Sequence, residues 1–313
     1  MEEKKEVFSR NYYNKTDSGL AFMLCNIVPL VLMFVFLFVV MGRGVEMEKV
    51  QNELWYLVTT ALISQLAFPL VAFILHKVNK IEFSATKISF KLDWKIVLLC
   101  VGIAGICFFG LYNFVDVFAY LFEAIGYNFE GASLPLNTPS ELVLNLLLLA
   151  LLPAVFEELI FRGVIFNGLR NTKGKFVAVV GSSLLFALMH GNLAQFVYPF
   201  IMGLVFSMIV LRTGNLLYSM IVHFVNNSLV IVFSYVKISF SIGNSLAGIF
   251  SGIAIACAVF VVLFFVDKFV FKHKANQNMQ EEKKEDNGTN VYMYIGIAIA
   301  GIMLLANLLT SFK

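Results

Sequence analysis

Long apolar runs separated by short polar segments organise this chain, and they predict nine membrane-crossing helices. About twenty apolar residues at 1.5 Å each suffice to cross roughly 30 Å of hydrocarbon. The first expected span is about Leu20–Met41, behind a polar tail over residues 1–19, and the second is about Leu54–Leu75. A basic loop over 76–95 carries Lys77, Lys80, Lys87, Lys91 and Lys95. The third span starts near Ile96 and is expected to lose simple character after Tyr112. Residues 113–141 are aromatic-rich, hold Asp116, Glu123, Glu130 and Glu141, and contain no Lys or Arg. Pro135 and Pro139 break helix there, and Ser140 is the expected N-cap of the fourth span.

That fourth span covers about Leu142–Leu169. The fifth (about Phe176–His190) turns at Gly191-Asn192, the sixth (about Leu193–Leu211) closes at Arg212-Thr213-Gly214, and the seventh is about Asn215–Tyr235. An eighth is expected over about Ser245–Val266, then a charged, solvated linker over 267–289, then a last span over about Val291–Leu309. The chain divides accordingly into a tail (1–19), front helices with an external loop (20–141), a central unit (142–236), the eighth span (237–266), the linker (267–289) and the final span (290–313). The expected fold is an all-α, polytopic membrane helical bundle.

Composition agrees with this pattern: of 313 residues 59% are hydrophobic and 14% charged, against about 25% charged in soluble domains. With the N-terminus inside, 19 of the 23 Lys and Arg fall on the inner side, and Arg43, Lys49, Lys237 and Lys313 fall outside. This positive-inside bias predicts a cytoplasmic N-terminus. Cys25, Cys100, Cys107 and Cys257 lie in apolar runs without ligand spacing, so they are expected to be plain buried thiols. The first apolar run is too long for a cleaved leader and follows a charged tail. The absence of internal or inverted repeats weighs against a transporter.

Chemistry enters in the fourth span, where Glu157, Glu158 and Arg162 interrupt LVLNLLLLALLPAVFEELIFRGVIFNGL. Each mid-membrane charge costs about 2.5–3.5 kcal/mol on insertion scales. Glu158 and Arg162 are four apart and share a helix face, acid first. Glu157 is rotated from Glu158 by about 100°, so it is left to point elsewhere. Phe186 and His190 end the fifth span four apart, and His223 and Asn227 sit four apart in the seventh. Counted along the helices, Glu157 lies roughly 20 Å in from Arg170, His190 roughly 22 Å in from Lys175, and His223 roughly 16 Å in from Arg212. Catalytic helices four, five and seven could therefore meet near mid-bilayer.

Taken singly, each residue has a structural reading: a buried salt bridge for the acid and base, helix–helix hydrogen bonding for His and Asn. Taken together at matched depth they suit hydrolysis. Glu157 could act as general base, a histidine could hold the water, and His223 and Asn227 could donate to an oxyanion. No HExxH is present and no aspartate pair. Gly181-Ser182-Ser183 reads as a helix-packing run more readily than as a serine nucleophile. His76 and His273 sit beside lysines at span ends and read as interfacial.

Glu157-Glu158-x-x-x-Arg162, Phe186-x-x-x-His190 and His223-x-x-x-Asn227 resemble the three motifs of the CAAX protease and bacteriocin-processing (CPBP, or Abi) family. The resemblance covers about residues 142–236. It includes type II CAAX prenyl endopeptidases, and it implies an intramembrane glutamate-dependent endopeptidase acting on a membrane-associated peptide or protein. Carried over, Glu157 and His190 would activate water, His223 and Asn227 would form the oxyanion hole, and Glu158, Arg162 and Phe186 would support the site. A metal-dependent mechanism has been argued for the family, and Glu and His are legitimate zinc ligands. The metal-free version, with no cofactor, is the expected one, because Asn is a poor zinc ligand. The expected setting is a bacterial plasma membrane, with the lipid bilayer as surroundings and no nucleic-acid partner. The family also contains immunity proteins and sensor-kinase regulators, so the alternative is a non-catalytic interaction protein on the same helices.

Overall fold

The structure, a computed structural model, describes residues 10–127, 134–238, 250, 253–254 and 290–311, with the side chains of residues 113 and 116 excepted. Eight helices dominate them: α1 (Lys15–Gly42), α2 (Leu54–Val78), α3 (Trp94–Ala124), α4 (Pro139–Lys173), α5 (Lys175–Met189), α6 (Val197–Thr213), α7 (Leu216–Tyr235) and α8 (Val291–Ser311). Six of these are long and apolar enough to cross a membrane, while α5 and α6 are shorter apolar helices. The all-α membrane bundle expected from the runs is therefore what is found. The eighth expected span and the charged linker lie outside the described residues, apart from isolated positions.

Alternating helix direction is visible in the end contacts. At the end bearing the basic loops, Ser18 donates to the Ile165 carbonyl at 3.0 Å and Asn171 to the Tyr13 carbonyl at 2.9 Å. There too the Asp93 amide donates to the Tyr218 hydroxyl at 2.7 Å. These bonds gather the starts of α1, α3 and α7 with the end of α4. At the other end, the Tyr127 hydroxyl meets Asn192 at 3.0 Å and Asn307 at 2.6 Å, joining the turns after α3 and α5 to the end of α8. α8 runs beside α1 in the same direction: Asn290 bonds the Lys15 carbonyl. A Cβ at Gly296 would come within 2.8 Å of the Phe22 ring. Lipid supplies no hydrophobic drive between helices, so close approach at small residues has to hold them. Phe34 and Phe38 of α1 and Leu309 of α8 are exposed instead, as lipid contact requires.

Several boundaries differ from expectation. The tail is structural from Arg10 onward, because Asn14 and Asp17 form a capping box that starts α1 at Lys15. Asp17 is buried and held by Arg10 and Asn79, each at 2.8 Å. Burial pushes the Tyr13 phenol above its usual range, keeping the hydroxyl a donor to His76 at 3.0 Å. His76 thus sits at the span end, as expected, but bonded. α3 continues unbroken to Ala124 where irregular chain was expected after Tyr112, since aromatic and apolar residues outnumber the acids there. The N-cap of α4 is Thr138, not Ser140: Thr138, Pro139 at the first turn and Glu141 complete a capping box. Arg162, counted above with the inner charges, lies inside the bundle and takes no part in the charge bias.

Candidate functional site

α4 carries the acidic pair, and its backbone is not uniform. Two wider π segments, Leu146–Leu151 and Leu159–Phe166, flank the α-helical stretch Leu152–Glu158. Such widened turns shift the helix register and recur at functional sites. The side chain of Asn167 donates to the carbonyls of Arg162 (3.1 Å) and Gly163 (2.9 Å), satisfying polar groups in the second widened stretch. Both glutamates sit at the end of the α-helical stretch, so they diverge as the 100° offset requires.

Glu158 points into the dry side. Its Oε1 accepts from Arg162 at 2.8 Å, and both side chains are 0% exposed. Arg162 also donates to the Gly203 carbonyl at 3.2 Å and lies over the rings of Phe186 (4.5 Å) and Phe206 (5.1 Å). Gly203 permits this approach: a Cβ there would meet Ser183 Cβ at 2.9 Å and Arg162 Nη2 at 3.2 Å. A buried guanidinium is thereby surrounded by a carboxylate, a carbonyl and aromatic faces, which answers its desolvation.

Glu157 points the other way, toward a cavity of about 630 Å³. Glu157, His190, His223 and Asn227 all line it, so the four expected site residues come together, with Phe186 beside them. His223 Nε2 stands 4.0 Å from Glu157 Oε2, and its Nδ1 is 3.2 Å from Glu158 Oε1. A carboxylate only accepts, so Nδ1 carries a proton, and Nε2 is the ring nitrogen turned to the cavity. As an oxyanion donor His223 must therefore act as the imidazolium. His190 is oriented the same way: Nδ1 donates to the Phe186 carbonyl at 2.8 Å, which leaves Nε2 as acceptor. Phe206 stacks on His223 with ring centroids 4.8 Å apart, and Phe186 meets the His190 ring edge-on at 5.0 Å. Phe186 is thus in contact with Arg162, His190 and His223 alike.

Asn227 is set by a relay that the sequence did not disclose. The Tyr198 hydroxyl donates to Asn226 Oδ1 at 2.7 Å, and Asn226 Nδ2 donates to Asn227 Oδ1 at 3.2 Å. Asn227 Nδ2 in turn donates to the Leu149 carbonyl, in the first π segment, at 3.1 Å. One amide hydrogen is so used, and a second remains on the same nitrogen. Gln65 of α2 is a further residue missed, donating to Glu157 Oε1 at 3.2 Å. Its signal was a lone amide four residues before Pro69 in a run whose other polar residues are the small hydroxyls Thr59, Thr60 and Ser64. Among the described residues no three His, Cys, Asp or Glu side chains group as a metal site. Glu157, His190 and His223 are of the ligand types zinc takes, and no step below passes through a metal.

Residues 139–229 match the family described as "Type II CAAX prenyl endopeptidase Rce1-like". The Bacillus subtilis (strain 168) protein named "Putative membrane peptidase YdiL" is 26% identical over 137 residues, which are 44% of this chain and 52% of that relative. This chain thus spans about half the length of the curated relative it matches. No solved structure matches significantly. Both matches support the CPBP/CAAX protease family that the three motifs resemble.

Proposed function

We propose that this protein is an intramembrane endopeptidase that uses Glu157 as its base and cleaves a membrane-associated peptide or protein. The observation that carries this reading is the convergence of Glu157, His190, His223 and Asn227 on one cavity from three helices. In the proposed reaction a water held by Glu157 and by His190 Nε2 attacks the scissile carbonyl carbon. Glu157 takes the water's proton as the C–O bond forms. The oxyanion is held by the second Asn227 amide hydrogen and by His223 in its imidazolium form. Collapse breaks the C–N bond, and Glu157 returns its proton to the leaving amine. Glu158 and Arg162 hold the helices and the His223 ring in place.

Apolar cavity walls from Phe108, Tyr112 and Phe233 suit a lipid-borne or apolar substrate segment. We place the protein in the plasma membrane with its basic end in the cytoplasm, on the positive-inside distribution. The test compares peptides released in cells carrying wild type with those carrying Glu157→Gln at equal membrane abundance. Products that vanish in the variant are expected. An identical peptide set and an identical phenotype would instead assign the helices to a non-catalytic interaction protein.

A further inference from the structure

α2 lies wholly outside the residues that match the family, yet it brings a polar side chain to the proposed base. Gln65 Nε2 donates to Glu157 Oε1 at 3.2 Å. An ionised carboxylate only accepts, so the amide nitrogen faces it and the amide oxygen is turned away. That oxygen, Gln65 Oε1, is buried without a hydrogen-bond partner. Glu157 lines the cavity and Gln65 does not, so the amide reaches the carboxylate from behind. The other carboxylate oxygen, Oε2, is the one turned toward His223 Nε2.

The position is built, not incidental. Phe68, one turn on from Gln65, packs against Phe161 of α4 with ring centroids 6.5 Å apart, and both rings are buried. Pro69 lacks the N–H that the Gln65 carbonyl would otherwise accept, a local weakness in α2 at this turn. Arg162 is engaged by Glu158 and Gly203, His190 by Phe186, and His223 by Glu158. These cationic or titratable neighbours are thus each fixed elsewhere. Other buried amides, Asn26, Asn167 and Asn192, likewise leave one end unpaired, so the orphan oxygen does not by itself set Gln65 apart. What sets it apart is that its satisfied end is on the proposed base.

We infer that Gln65 is a positioning residue for the proposed peptidase reaction: it clamps one carboxylate oxygen of Glu157 so that the other is presented to the attacking water. The inference rests on the peptidase reading above. It is tested on the full chain in phosphatidylcholine–phosphatidylglycerol vesicles, using an internally quenched peptide that carries a farnesylated cysteine four residues from its C-terminus. Gln65→Leu keeps the bulk, loses the donor and removes the unpaired oxygen. It is expected to lower kcat about 10- to 100-fold, as a loosened catalytic group does, with KM little changed and the melting midpoint equal to or above wild type. Gln65→Glu, which cannot donate when ionised and repels Glu157, is expected to lose more. A Gln65→Leu protein with full kcat overturns the inference, as does one whose activity falls only in proportion to a lowered melting midpoint. Hydrolysis by Glu157→Gln, or none by wild type, counts against the peptidase reading itself. The midpoint then decides Gln65 separately: a clear drop in Gln65→Leu marks a structural amide and overturns the inference, and an unchanged or raised midpoint upholds an amide kept at a cost to stability.

Discussion

Glu157 and Glu158 are chemically identical neighbours with opposite surroundings. Behind Glu158 the protein is dry: an arginine, a backbone carbonyl and two aromatic faces enclose the charges, and no part of either side chain reaches the surface. In front of Glu157 is a cavity, its side chain is 14% exposed, and Gln65 donates to it at 3.2 Å while His223 stands 4.0 Å off. The difference shows how a membrane protein can hold two acids one residue apart. One is paired with a buried arginine inside the bundle, while the other faces a cavity with a single amide donor on it. A buried pair adds little net stability, but removing one partner strands the other charge.

The sharpest way to break this comparison is Arg162→Ala. It strips the buried Glu158 of its arginine and leaves it the His223 hydrogen bond, at a cost of about 3–5 kcal/mol, so the folded protein itself should be lost, as read by detergent-extracted yield and melting midpoint. Retention of normal yield would mean the dry side is no anchor. Glu157→Gln comes next: yield should match wild type while hydrolysis falls about 10²- to 10⁴-fold. A similar loss of protein in both variants would erase the distinction between the two glutamates. Asn227→Ala should slow the chemical step about 10²- to 10³-fold with substrate binding little altered, measured as a fall in kcat at constant KM. Smallest is Tyr198→Phe, which cuts the relay to Asn227 at its outer end. A loss of about 1 kcal/mol, roughly five-fold in kcat, is expected, and an unchanged rate would show that Asn227 needs no such support.

Much of the dry side was legible in the sequence, because an i,i+4 acid–base pair in an apolar run has few other uses. Equal helical depth likewise anticipated that Glu157, His190, His223 and Asn227 could meet. The rest was hidden for physical reasons. Nothing in Leu146–Leu151 or Leu159–Phe166 marks a widened turn, since apolar side chains tolerate either winding. The tautomers of His190 and His223 follow from which acceptor stands behind each ring, and sequence does not place acceptors. Gln65 reads as an ordinary polar interruption until α2 is packed on α4. Thr138, by contrast, could have been found: Thr-Pro-Ser-Glu is itself a capping signature.

The pairing of α1 with α8 has a consequence for biosynthesis. The Asn290–Lys15 bond joins residues 275 apart in the chain, so α1 enters the membrane long before its partner exists. At about 5–20 residues per second the ribosome takes roughly 14–55 s to make that interval. Throughout that time the face of α1 around Phe22 and Met23 that will receive Gly296 is without that partner. Closure of the bundle is thereby a late event, timed by translation and not by the packing of the site helices. A ribosome paused before α8 emerges should leave that face open to crosslinking, and release should close it.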